Sequence, residues 1–181
     1  MELLVAPAVT HAKFDREVAQ FIAQRAYQES RGIWLVEAIF PQAFLVFSSS
    51  KLRPPAVVFG ALLDFTNYDF WAPSVRLVNP FTRVPYQASE LQQTQWLPRA
   101  VNGTVQNLVQ VHSGGIPFLC MPGVREYHDH PGHSGDSWLL HRRGGEGTFF
   151  FIVDQLHKYG VASAQYQLDI GFHLGAGVIS E

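Results

Sequence analysis

One cysteine, Cys120, is followed closely by Glu126, His128, His130, His133 and His141, so that half of the eight histidines crowd behind the only thiol. A soft nucleophile beside imidazoles and a carboxylate suits either covalent catalysis or a metal site. In the covalent case Cys120 accepts an acyl group as a thioester and passes it to an amine. Protonated histidines and the backbone N–H groups of the Pro122-Gly123 turn favour the thiolate. The second step needs an oxyanion donor, for which His128 and His130 are the candidates. It also needs a group that orients or deprotonates the amine, for which Glu126, Asp129 and Asp136 qualify.

In the metal case Glu126, His128 and His130 stand at alternate positions, so an extended segment points all three to one side. Cys120 returns across the Pro122-Gly123 turn to complete the set, with His133 as a further donor. Three such ligands plus water make a catalytic zinc centre. A sulfur held by zinc is no longer a free nucleophile, so the two readings compete for one atom. A third pattern, the glycine-then-HxH core of a cupin, resembles PGVREYHDH. The cupin glutamate is absent, with Ser134, Gly135 and Asp136 in its place, and no second histidine motif follows.

Other residues read more simply. Lone cysteines are commonly small core hydrophobes, but Pro117 and Pro122-Gly123 flank Cys120 beside a polar loop. His112 reads as a residue that fixes the approach to the cysteine. His141, before Arg142-Arg143, reads as a surface residue. His11, His157 and His173 belong to no constellation.

The elements that must position this cluster follow from pattern. Phe14, Val18, Phe21, Ile22 and Ala26 recur at helical spacing, predicting a helix over residues 11–31 with Thr10 as N-cap and Gly32 past its end. GIWLVEAIF, AFLVFSS and AVVFGALLDF read as strands with short connections, which favours an antiparallel meander. FTNYDFWAPSVRLVNP crosses an aromatic, proline-bearing turn into a fourth strand at Ser74 to Val78. Residues 81–107, rich in Gln, Thr, Ser and Pro, read as a loop insertion, and Leu108 to His112 as a further short strand. Thr148 caps a C-terminal helix through Phe149, Ile152, Val153 and Leu156 that Gly160 stops. The tail to Glu181 reads as packed. An α+β fold over residues 1–181, in one domain, is the expectation.

The bulk numbers narrow the function. A net charge of −2 gives no basic field, so nucleic acid is not an expected partner. Hydrophobic content of 47% with 15% charged residues is that of a globular chain. One cysteine makes no internal disulfide. MELLVAPAVTHAK does not read as a secretory signal, and no apolar run reaches the roughly 20 residues that span a bilayer. A cytoplasmic protein with no membrane partner is expected, its thiol kept reduced.

N-terminal helix, four-strand meander, active-site loop with a lone cysteine, then helix is an order that resembles the ubiquitin-conjugating enzyme (UBC) fold. Tyr68, Phe70, Pro73, Val75 and Leu77 resemble that family's tyrosine–proline turn into its fourth strand. HSGGIPFLC resembles its active-site approach, with His112, Gly115 and Cys120 in the family roles. The chain is similar also to bacterial UBC-like proteins encoded beside ubiquitin-like proteins, activating enzymes and JAB-type peptidases. One such group carries a predicted Cys-Glu-His-His metal signature, here Cys120, Glu126 and two of His128, His130 and His133.

The resemblance implies a conjugating enzyme with Cys120 as acyl carrier, His128, His130 and Glu126 as supporting residues, and His133 and Asp136 behind them. Its partners would be a ubiquitin-like protein, an activating enzyme and a JAB-type peptidase, with no dissociable cofactor. The alternatives it implies are a zinc-binding protein and a non-catalytic UBC-like binding module. Two departures stand out. The family's asparagine after the histidine–proline pair is missing, since Ser113 and Gly114 follow His112, and the segment from Pro73 to Cys120 is long.

Overall fold

Phe14, Val18 and Phe21 bury one stripe of helix α1, Pro7–Ile22. The helix starts before the expected Thr10 cap because Pro7 occupies its first turn, where the missing N–H costs nothing. Thr10 lies inside the helix, buried. The expected single helix also breaks. The apolar stripe ends at Phe21, Ile22 and Ala26 are exposed, and after Ala23-Gln24 a second short helix, α2 (Arg25–Ser30), turns Gln28 inward instead. Gly32 takes the left-handed conformation past its end, φ 85°, where a Cβ would meet the Ser48 carbonyl. The computed structural model describes residues 4–165.

The meander then follows as expected. β1 (Ile33–Ile39), β2 (Gln42–Ser49), β3 (Ala56–Asp64) and β4 (Ser74–Val78) form one antiparallel sheet in chain order. Leu45, Ala61 and Leu77 align across three strands, and this alternate face joins Phe14, Phe21 and Phe65 in the core. The C-terminal helix α5 (Phe149–His157) packs on the same face through Phe149, Ile152, Val153 and Leu156. Its first turn is tied to α1 by a buried carboxylate. Glu17 accepts from the Phe149 N–H at 2.8 Å and the Tyr68 hydroxyl at 3.0 Å. Thr148 caps α5 as expected, accepting from the Phe151 N–H.

Gly160 does not stop that helix. The chain continues through a wide turn, Lys158–Ala162, and Gly160 faces the Phe59 ring so closely that a Cβ would lie 2.6 Å from it. Its role is close approach rather than termination. The tail expected to pack falls, from residue 166, outside the described residues.

The insertion is more than a loop. Within residues 81–107 two short 3-10 turns, Ala88–Glu90 and Gln93–Trp96, lead into a hairpin of β5 (Pro98–Val101) and β6 (Thr104–Asn107). Asn102 and Gly103, both at positive φ, make its two-residue turn. The run Leu108 to His112 contains a strand as expected, β7 (Val109–Val111), and its partner β8 (Pro117–Leu119) delivers the chain to Cys120. Two brief helices, α3 (Arg125–His128) and α4 (Trp138–His141), fill the path to α5. Among the described residues no helix is long and apolar enough to cross a membrane.

Candidate functional site

Cys120 leaves the β7–β8 hairpin with its N–H donating to the Leu108 carbonyl at 2.8 Å, while the Leu108 N–H donates to the Leu97 carbonyl at 3.1 Å. Leu97, Leu108 and Cys120 thus form one row across three chain segments, and the insertion hairpin lies alongside the thiol. Cys120 is half-buried, with its Sγ 3.4 Å from His133 Nε2. Burial pushes the thiol up from its ordinary value, and the Arg99 guanidinium of β5 acts in the opposite sense. Burial, and then the neighbouring His130, lower His133. Both shifts favour the neutral forms. The resting pair is therefore a thiol beside an imidazole able to take its proton.

A chain of contacts holds that imidazole. Tyr127 stacks on the His133 ring at 3.8 Å and 19°, and its hydroxyl donates to Asp136 Oδ2 at 2.7 Å. Burial and this carboxylate push the Tyr127 phenol up to about 12, so it stays a donor. Asp136 Oδ1 lies 2.7 Å from His141 Nε2, and His141 Nδ1 lies 2.9 Å from Glu146 Oε2. His141, which reads as a surface residue in the sequence, is clamped between two carboxylates. The available signal was the acidic residue five positions to either side of it.

The remaining expected residues are placed differently. Glu126 sits in the helical turn of α3, not on an extended segment, and is 5% exposed. Its carboxylate turns to β4, accepting from the Ser74 hydroxyl and the Val75 N–H (3.2 Å), with Arg76 Nη2 at 3.5 Å. His128 has both ring nitrogens against carbonyl oxygens, Nδ1 at 2.9 Å from Asp136 and Nε2 at 2.6 Å from Pro122. It braces the loop around Cys120. His130 lies closer to the pair, its ring centroid 5.5 Å from that of His133. Its Nδ1 accepts from the Gly132 N–H and its ring stacks on Phe118. His112 stacks on the same Phe118 ring at 4.2 Å.

The model of the Y4jH family matches residues 5–164, a span that takes in the thiol, the histidine loop and the insertion hairpin. The chain belongs to the Y4jH-like family. It is similar to the y4jH protein of Sinorhizobium fredii, with 41% identity over 189 aligned positions, covering 96% of this chain and 92% of that one.

The Cys-Glu-His-His set does not fit a metal as this Y4jH-like chain is folded. Glu126 serves β4, and both nitrogens of His128 face backbone carbonyls. Among the described residues no group of three or more His, Cys, Asp or Glu is placed to hold one ion. What the arrangement offers is proton transfer between Cys120 and His133, on a loop fixed by Tyr127, Asp136 and His141.

The Asp136–His141 contact carries a pH signature. Its hydrogen bond to Asp136 raises His141 above the ordinary 6.5, a contribution present at lower pH and lost as pH rises through the folded value. The bonds from His141 and then Tyr127 lower Asp136 below 3.8, a contribution lost as pH falls through its own folded value. The pair is therefore complete between about pH 4 and pH 6.5. The difference in melting temperature between the native chain and a His141→Gln variant is expected to be largest there and to shrink on both sides.

Proposed function

We propose that this Y4jH-like protein is an acyl carrier of the ubiquitin-conjugating type, holding a ubiquitin-like protein as a thioester on Cys120. The observation that carries the reading is the Cys120–His133 pair, 3.4 Å apart, with Cys120 directly after the β7–β8 hairpin. His133 takes the thiol proton as Cys120 attacks the thioester carbonyl of a charged activating enzyme. A new S–C bond forms, the donor's S–C bond breaks, and the donor thiolate leaves with a proton from solvent or His133. In the second step an amine attacks the Cys120 thioester. The C–N bond forms, the Cys120 S–C bond breaks, and the surplus amine proton goes to His133 or water.

The partners on this reading are a ubiquitin-like protein ending in an exposed glycine and its activating enzyme, with a JAB-type peptidase as the activity that would reverse conjugation. The test is a charging reaction of the full chain with activating enzyme, ATP and ubiquitin-like protein from the same organism. An adduct cleaved by thiol reductant and lost in Cys120→Ala is the expected result. Stoichiometric, tightly bound zinc together with a thiol inert to iodoacetamide would overturn the reading in favour of a metal centre.

A further inference from the structure

The last turn of α5 carries a histidine that the Cys120 site does not use. His157 is 9% exposed, and both of its ring nitrogens meet one residue, Arg31, which follows α2. Nδ1 lies 2.9 Å from Arg31 Nη2, and Nε2 lies 3.1 Å from the Arg31 carbonyl oxygen. A guanidinium only donates and a carbonyl only accepts. Nδ1 therefore offers its lone pair, and Nε2 carries the hydrogen. The contact fixes the tautomer and the charge together, because a second proton would sit on the nitrogen that already faces a donor.

Arg31 joins two helices through this contact. Its Nη2 also lies 2.7 Å from Asp154 Oδ1 on α5, and its Nη1 donates at 3.3 Å to the Oε1 of Gln28, the residue that α2 turns inward. Alongside runs a groove of about 310 Å³ with Phe21, Tyr27 and Phe151 in its walls, so continuous apolar packing does not back the joint. Lys51, between β2 and β3, stands on the same side of the fold and donates to the carbonyls of Ala162 and Ala164 beyond the helix. The charged groups acting on His157 are thus two cations, Arg31 and Lys51, and one carboxylate, Asp154. A protonated ring would set three positive charges against that carboxylate.

We propose that the His157–Arg31 contact is a pH-sensitive latch, which holds α2 to α5 at neutral pH and releases it in mild acid. Protonation at Nδ1 turns an acceptor into a donor, so the ring and Arg31 Nη2 no longer bond and the end of α2 is freed. Burial, and then Arg31, lower His157 from 6.5. A histidine lowered by folding contributes stability that is present above 6.5 and lost as pH falls through its folded value. The device lies at the far end of α5 from the Glu17 tie and does not depend on how Cys120 is used.

The test follows the ring nitrogen shifts of His157 in the full-length chain, together with hydrogen exchange of the α2 amides corrected for intrinsic rates. A ring with its hydrogen on Nε2 and a titration midpoint below 6.5 are expected. Protection of α2 should fall by up to about tenfold per pH unit through that titration, while the amides of β2 and β3 keep theirs. In His157→Gln the amide oxygen can accept from Arg31 and the amide N–H can donate to its carbonyl, so α2 should stay protected in acid. Arg31→Gln removes a facing cation and should raise the His157 midpoint. A ring hydrogen on Nδ1, a midpoint at or above 6.5, or a midpoint unmoved by Arg31→Gln would overturn the latch. So would a glutamine variant whose α2 loosens in acid as the native one does.

Discussion

Replacing His133 with glutamine is expected to slow charging of Cys120 at neutral pH by about 10²–10⁴-fold, the usual contribution of a positioned general base. The thiol is held up by burial, so little of it ionises unaided near pH 7. An imidazole 3.4 Å away, itself kept neutral by burial and by His130, removes that obstacle. In the variant the rate should climb about tenfold per pH unit as hydroxide substitutes for the base, and the deficit should narrow above the raised thiol value. A merely structural contribution from His133 would leave a deficit that does not depend on pH. Iodoacetamide alkylation measured across pH provides the same contrast without any partner protein. Tyr127→Phe keeps the ring stacked on His133 while removing the bond to Asp136, and it should cost far less than the loss of the imidazole.

The elements were legible where periodicity is decided by a single buried face. Every second residue of β2 and β3 (Ala43, Leu45 and Phe47, then Phe59, Ala61 and Leu63) enters one core, and the short connections between the first three strands leave an antiparallel meander as the simple solution. Legibility failed where a tertiary contact outweighs local pattern. Ala26 and Ile22 continue the helical stripe in the sequence, yet the core they would face ends at Phe21, and the helix breaks. Gly160 reads as a stop because nothing in its neighbours announces the Phe59 ring. The hairpin of residues 98–107 is short and exposed on β6, so it carries no alternation, although Asn102-Gly103 is a recognised turn pair.

At the site, residue types were legible and partners were not. Cys120 with a neighbouring histidine was foreseeable, but which histidine depends on how the loop winds. Alternate spacing singled out Glu126, His128 and His130, a rule that holds only for extended backbone. Helix α3 winds the first part of that run, and the 3-10 turn Pro131–His133 brings His133 back to the sulfur. The network through Tyr127, Asp136, His141 and Glu146 joins residues whose order in the chain gives little hint of contact.

Glu126→Ala is expected to destabilise the fold by about 2–4 kcal/mol while leaving Cys120 reactive. Breaking a buried ion pair by removing one partner costs about 3–5 kcal/mol, and the lower figure allows for the partial exposure of Arg76, whose side chain is 34% accessible. The carboxylate is the meeting point of the Ser74 hydroxyl, the Val75 N–H and the Arg76 guanidinium, so its loss removes the acceptor these three groups share at the start of β4. Glu126→Gln keeps the size and one acceptor and should cost roughly half as much, since a neutral amide can still receive the Val75 N–H. A carboxylate acting as zinc ligand or as base for the incoming amine predicts the opposite order. The glutamine variant would then fold normally and lose metal or activity outright. Urea unfolding of both variants, paired with the iodoacetamide rate of Cys120, separates the two. Unfolding midpoints that fall in the order native, Gln, Ala, with alkylation within about twofold of native, place Glu126 in the scaffold that holds α3 to β4 and leave the chemistry to Cys120 and His133.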